Sequence, residues 1–296
     1  MNFSTFSNAY TPSSPNPDGM TTIENAISYD LGPHITAFST TRRGGVGTGA
    51  YATFNVTPYC GDTPEHVCQN LETLCQKLDI DRDKLLLPHQ THGTRVISID
   101  TAFLAMTTEE REETLEGVDA LTTDQPGVCI GVSTADCIPI LIADTARHAV
   151  CAVHAGWRGT VGRIAEKAVR KMTETYGSCP SELKAQIGPG ISLESFEVGQ
   201  EVYDAFEAAH FDMSTISRRF PSTKEDGTKK WHIDLPTCNR LQLLRAGLKP
   251  EAVAMSNICT FRSHDTFFSA RRLGINSGRI FSGIIYRPSD TSLFPA

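Results

Sequence analysis

Residues 127–163, GVCIGVSTADCIPILIADTARHAVCAVHAGWRGTVGR, place three apolar runs end to end with polar turns between them. The runs, 127–132, 138–143 and 148–154, are short, rich in Ile, Val, Ala and Cys, and bounded by Gly, Asp, Thr or Ser, which reads as buried strand rather than helix. Outward from them, similar runs at 34–40, 184–188, 252–259 and 279–286 give further strands. Helical spacing appears at 64–78, where Thr63 is placed to cap, Pro64 suits the first turn, and Val67, Leu71, Leu74, Cys75 and Leu78 form one stripe. A second helix is predicted over 160–176, with Ile164, Ala165, Ala168, Val169 and Met172 inward and Gly177 as terminator. Others are predicted over 197–209 and 235–246. Strands outnumber helices and do not alternate strictly with them, so the pattern predicts an α+β fold, a mixed or antiparallel sheet core flanked by helices.

The chain of 296 residues is long enough to bury a sizeable core. Residues 1–22, rich in Ser, Thr, Asn and Pro, read as a loosely held N-terminal arm, leaving 23–296 as a single domain. No run approaches the roughly 20 apolar residues that span a bilayer. The formal net charge of -7 gives no support to binding a polyanion. Neither a membrane nor a nucleic acid is therefore expected as partner, and the pattern leaves the oligomeric state open. Nine cysteines without a CxxC pair, and an N-terminus without a basic-then-apolar leader, predict a cytoplasmic protein with reduced thiols. Two polar stretches, 106–117 (MTTEEREETLEG) and 212–230 (DMSTISRRFPSTKEDGTKK), read as solvated helix or surface loop, the second with a mobile flap as alternative.

Chemistry concentrates at the turns. Thr134, Ala135, Asp136 and Cys137 join the first two runs, and His154 ends the third just before Gly156, Trp157, Arg158 and Gly159. The two junctions meet if the three strands pack up and down. A third locus is His89-Gln90-Thr91-His92-Gly93. Catalytic zinc usually keeps three protein ligands from His, Cys and carboxylate and an open fourth position, so His92, Cys137 and His154 make a reasonable set. Their separations match no compact zinc motif, and a lone His or Cys is more often a packed core residue. Cys137 with His154 or His92 as base would equally suit a thiol hydrolase. The glycine-flanked turn before Thr160, with Arg158, reads as a phosphate or carboxylate site or as an ordinary tight turn. The glycine-rich stretch 40–49, with Arg42 and Arg43, reads as an anion loop or a plain flexible one; it is neither a Walker loop nor a Rossmann fingerprint.

Six motifs in order, TTRRGG at 40–45, QTHG at 90–93, TADC at 134–137, HAGWRG at 154–159, IGPGI at 187–191 followed by FEVG at 196–199, and FFSARR at 267–272, resemble the signature of the YfiH-type laccase-domain family. The match spans roughly residues 34–286. The resemblance implies a sandwich-like single domain whose pocket binds a metal, usually zinc, through His92, Cys137 and His154. It also implies purine nucleoside phosphorylase activity, in which inosine, adenosine or guanosine reacts with phosphate to give base and ribose 1-phosphate. Adenosine deamination and methylthioadenosine cleavage are further activities of the family. Its older label, multicopper polyphenol oxidase, makes copper the alternative metal.

With purine nucleosides and phosphate as small-molecule partners, Arg42 and Arg158 are candidates for the anion, and Asp136 for orienting a ligand or shuttling a proton. Arg271, Arg272 and Phe268 are candidates for closing the pocket by charge and stacking, with a core Phe and surface arginines as the alternative. Two departures are a Thr where QVHG is usual and Gly190 where IGPCI-like forms carry a cysteine. A multicopper site needs several imidazoles per metal, often in H-x-H pairs; this chain has nine histidines and no H-x-H. A non-enzymatic nucleoside or metal sensor is the remaining alternative.

Overall fold

In the computed structural model, which describes residues 25–222 and 227–288, the stretch 127–163 is divided between two stacked sheets. The N-terminal arm expected over 1–22 lies outside the described residues. The strands in chain order are β1 (Ala26–Tyr29), β2 (Ile35–Thr40), β3 (Leu85–Leu86), β4 (Val96–Ile99), β5 (Ala120–Thr123), β6 (Cys129–Thr134) and β7 (Ile138–Asp144). They continue with β8 (Ala149–Ala155), β9 (Lys184–Ile187), β10 (Glu197–Val198), β11 (Ser217–Pro221), β12 (Lys229–Ile233), β13 (Val253–Met255) and β14 (Ile280–Tyr286). The helices are α1 (Pro64–Leu78), α2 (Thr101–Leu104), α3 (Thr108–Leu115), α4 (Trp157–Val161), α5 (Ile164–Tyr176), α6 (Gln200–Ala208), α7 (Met213–Ile216), α8 (Leu235–Arg245) and α9 (Ala270–Leu273).

One sheet runs β1-β2-β14-β6-β3, antiparallel except for the parallel β3–β6 pair. The second runs β13-β9-β7-β8-β5-β4, antiparallel in its centre with a parallel pair at each edge. A small antiparallel sheet, β10-β12-β11, completes the set. The fold is thus α+β with mixed sheets, as the apolar pattern predicts.

Alternation along the strands builds the layers, because successive side chains point to opposite faces. In β8, Ala149, Cys151, Val153 and Ala155 join Ile164, Ala168, Val169 and Met172 of α5 and Leu235, Cys238 and Leu243 of α8. Val150 and Ala152 face the other way and meet Ile130 and Val132 of β6 and Ile284 of β14 between the sheets. The outer face of the first sheet, with Phe38, Phe281 and Ile285, is covered by the α1 stripe Val67, Leu71, Leu74, Cys75 and Leu78. The result is a four-layer sandwich, helix on sheet on sheet on helix. No helix among the described residues is long and apolar enough to cross a membrane.

Several expectations are corrected. The three runs of 127–163 are not three neighbours in one sheet: β7 and β8 form a hairpin, while β6 belongs to the opposite layer. The helix predicted over 160–176 is two, α4 and α5, because Arg163 adopts a left-handed conformation (φ 63°). Its guanidinium donates to the Ala209 carbonyl (2.7 Å) and lies over the Phe211 ring (3.7 Å), which holds the break in place. The strand expected over 252–259 stops at Met255, ahead of Asn257 at φ 55°. In 212–230, α7, β11 and the start of β12 replace the expected loop, pairing Ser217–Pro221 against Lys229–Ile233, with 223–226 outside the described residues. The acidic stretch 106–117 holds α3, begun by a reciprocal Thr107–Glu110 capping box.

Candidate metal centre and its cavity

The chain passes from the first sheet to the second at two places that matter here, between β3 and β4 and between β6 and β7. His92 lies on the first crossing and Cys137 ends the second. His154 sits in β8, and since the β7–β8 register pairs Ile138 with Ala155, it is delivered beside Cys137. One donor atom from each of His92, Cys137 and His154 falls within 4.8 Å of the others. The two imidazole rings meet edge-on at 4.9 Å. Both crossings use tight backbone turns, with His92 at φ 63° and Asp136 at φ 85°. Gly156 is required by proximity: a β-carbon there would stand 2.8 Å from His92 Cδ2 and 3.1 Å from Cys137 Sγ.

Asp119, just ahead of β5 and fully buried, ties the crossing to the strand. Its Oδ1 faces His154 Nδ1 at 2.7 Å and accepts the His92 N–H at 2.9 Å. Its Oδ2 accepts the Gly93 N–H at 2.7 Å and the Thr91 N–H at 3.4 Å, while its carbonyl accepts the His154 N–H at 2.8 Å. Burying a carboxylate costs several kcal/mol in lost hydration unless such partners replace the water. Gln90 adds a second pin: its Nε2 donates to the Ser133 carbonyl (2.8 Å) and its Oε1 accepts the Ser133 N–H (2.8 Å), joining the first crossing to β6.

The electrostatics follow from burial and proximity. Burial pushes the Asp119 carboxyl up, but the His154 hydrogen bond and charge, aided by the Gly93 and Thr91 amides, hold it below the usual carboxylate range. Burial likewise pushes the Cys137 thiol up, yet the charge and hydrogen bond of His154, with those of His92, bring it down to about 6. Burial pushes His154 down, and the Cys137 thiolate together with Asp119 lifts it to about 9. Each charge thus favours the other, which draws Cys137 toward thiolate and His154 toward imidazolium when no metal is bound. Two imidazoles and one thiolate, with the second ring nitrogen of His154 held by a carboxylate, fit a metal ion at a site of three protein ligands.

A cavity of about 470 Å³ opens onto this cluster, walled by Tyr59, Cys60, His89, Gln90, Thr134, Ala270, Ile275, Asn276 and Arg279 among others. None of the arginines singled out in the sequence lines it. The Arg42 guanidinium donates to the carbonyls of Ala52 (2.7 Å) and His264 (2.8 Å) and stacks on Phe268 at 4.9 Å. Phe268 itself has no exposed surface and packs with Ala135, Phe267 and Ile280, so it belongs to the core and has no face for a base. Arg158 is exposed on the short α4, over the Trp157 ring at 4.4 Å. Arg271 donates to the Glu197 carbonyl (2.9 Å) and Arg272 lies over Phe261 (5.3 Å), both exposed.

Asp136 is adjacent to Cys137, with its carboxylate accepting from the Thr260 hydroxyl (2.7 Å) and the Arg271 N–H (2.7 Å). The glycine-rich loop after β2 directs its Gly45, Val46 and Gly47 N–H groups to Thr53 Oγ1, Asn70 Oδ1 and the Thr53 carbonyl. Those amides hold the loop together and are not left for an anion. Asp119 and Arg279 are the residues that sequence reasoning missed. The one available signal for Asp119 was a charge inside the otherwise strand-like Val118–Thr123 run; Arg279 was legible only as the first residue of a predicted strand.

A layered sheet sandwich thus brings two imidazoles and a thiolate to the side of an open cavity. The chain belongs to the family described as multi-copper polyphenol oxidoreductase laccase, whose model matches residues 36–287. It is 47% identical over 262 residues to a purine nucleoside phosphorylase of Bacteroides thetaiotaomicron, covering 88% of this chain and 94% of that one. It is 46% identical over 250 residues to the adenosine deaminase RL5 of an unknown prokaryotic organism, covering 84% and 93%. Among solved structures, the hypothetical protein YfiH of Bacillus licheniformis superposes with a TM-score of 0.80 at 27% identity, over 89% of this chain and 97% of that one.

Proposed function

We propose that the chain is a metal-dependent purine nucleoside phosphorylase, converting inosine, adenosine or guanosine and phosphate to base and ribose 1-phosphate, with adenosine deamination as a side activity. The observation that carries this is the His92–Cys137–His154 cluster beside a cavity of nucleoside size. The relatives named for phosphorolysis and for deamination, both aligned over more than four fifths of this chain, support it. The donor set suits zinc, with copper the alternative, and a reducing cytoplasm suits a thiolate ligand. When bound, such an ion supplies Lewis-acid polarisation at its open position.

The protein's own groups would do the rest. In phosphorolysis a phosphate oxygen bonds to C1′ as the C1′–N9 bond breaks, and the base leaves with the electron pair and takes up a proton. Asp119 fixes the His154 ring and the 91–93 amides, so the ligand atoms need no rearrangement. Arg279 is the arginine at the cavity wall, where Arg42 and Arg158 are absent; its guanidinium is held by the Ile275, Ser277 and Gly278 carbonyls, so it would favour phosphate by positive charge rather than by a free fork of donors. Multi-copper chemistry, which the family's description names, needs several imidazoles per copper, whereas one three-donor cluster is present among the described residues.

The thiolate–imidazolium pair favours one second reading, a thiol hydrolase with Cys137 as nucleophile. Hypoxanthine release from inosine, with and without phosphate, by metal-replete protein and by Cys137→Ala, tests both. Phosphate-dependent release that is abolished by the substitution and by chelation supports phosphorolysis at the metal centre. Activity that survives chelation favours the nucleophile, and no release from the unaltered protein under either condition overturns the nucleoside assignment.

A further inference from the structure

Among the described residues, three large hydrophobic side chains are markedly exposed, and two of them, Tyr59 (47%) and Ile275 (76%), border the same cavity as the metal centre. Tyr59 is not alone there. The His89 ring stacks on it with centroids 4.3 Å apart and planes 23° from parallel. His89 is in turn held on three sides: Nδ1 lies 2.7 Å from Glu116 Oε2, its N–H donates to the Leu115 carbonyl, and its carbonyl accepts the Gly117 N–H. The end of the acidic 106–117 stretch thus serves to hold an aromatic pair rigid at the cavity rim. Elsewhere on the cavity wall, the Arg279 guanidinium donates to the carbonyls of Ile275, Ser277 and Gly278, which braces the loop that carries Ile275.

Exposed rings held rigid beside a polar reaction site need an occupant that is flat and apolar on its faces. Resting on the phosphorylase assignment, we propose that the Tyr59–His89 pair, oriented by Glu116 and sharing its cavity with Ile275, is the platform on which the purine ring of the nucleoside stacks. Stacking is indifferent to the exocyclic group, because every base presents a π-face. Gln90, the wall amide next to His89, has its Oε1 and one N–H engaged by Ser133, so the backbone of β6 fixes its orientation. The platform itself therefore favours ring area, a purine over uridine, without distinguishing 6-oxo from 6-amino rings.

The test is Tyr59→Leu, at a half-exposed position where the fold is not at stake, with Tyr59→Phe as the variant that keeps the ring. Tyr59→Leu is expected to raise KM for inosine roughly tenfold while kcat and KM for phosphate change by less than about twofold, and Tyr59→Phe to recover the inosine KM. Quenching of 2-aminopurine riboside fluorescence, which reports stacking without turnover, should be strong in the unaltered protein and lost in Tyr59→Leu. Turnover with an unchanged inosine KM in Tyr59→Leu overturns the platform and leaves phosphorolysis standing. Quenching that is lost on substitution, in a protein that shows no phosphorolysis, keeps the platform and overturns the reaction. Neither quenching nor turnover overturns both.

Discussion

Asp119 is the residue on which the site's order depends, and also the one least visible in the sequence. A carboxylate that accepts three backbone N–H groups and one imidazole fixes both the loop of His92 and the tautomer of His154. Asp119→Asn keeps the shape but loses the charge and sets an NH₂ group against at least one donor. Metal affinity, measured by competition with a chromophoric chelator, is expected to fall roughly 10- to 100-fold, with a similar loss of activity and an unchanged circular dichroism spectrum. Unaltered affinity would reduce Asp119 to a loop tie. The motif residues were legible because TADC and HAGWRG are unusual strings. Asp119 was not, because its role exists only once a loop and a strand distant in sequence fold around one carboxylate. The arginines failed in the opposite way: Arg42 stood in a glycine-rich string that resembles an anion loop, yet the nearby carbonyls that take its guanidinium could not be foreseen from spacing.

At the scale of elements, the strands of 127–163 were legible in kind and position but not in partnership. A short, continuous, buried apolar run identifies each strand; nothing in TADC announces that the chain leaves one sheet for the other there. The consequence is that two members of the cluster, His92 and Cys137, sit on connections rather than inside strands, and connections need tying. Gln90 supplies such a tie through its two hydrogen bonds to Ser133. Gln90→Ala leaves the Ser133 N–H and C=O without these partners, and a loss of about 1–3 kcal/mol in urea unfolding is expected. A larger loss of metal affinity than of stability would identify Gln90 as a positioning residue; stability alone would make it a structural strut. The split of the predicted 160–176 helix has a comparable cause: the helical periodicity is real, but Arg163 is drawn by Ala209 and Phe211, contacts invisible to a local pattern.

Over the whole molecule, the sheet-rich α+β character was legible from apolar runs, and the flanking helices from stripes such as that of α1. The pairing order was not, since the short strands β1, β4 and β5 carry too little pattern to be seen. The stability of the metal-free molecule should carry the signature of its buried charge pair. His154, raised from 6.5 to about 9, stabilises the fold fully below pH 6.5, and that contribution is lost as pH rises through about 9. Cys137, lowered from 9.0 to about 6, stabilises it fully above pH 9.0, and that contribution is lost as pH falls through about 6. Urea midpoints of the metal-free protein, compared with those of Cys137→Ala, should therefore draw apart as pH rises through about 6; a difference independent of pH would mean that Cys137 is not ionised.

The paired crossings have a further consequence. Because His92 and Cys137 ride on segments that bridge the two layers while His154 belongs to one of them, the layers act as the jaws of a caliper. Interiors are close-packed and transmit displacement. A change of bulk at Leu141 or Ile284, wedged between the jaws, would thereby be felt in the spacing of His92, Cys137 and His154.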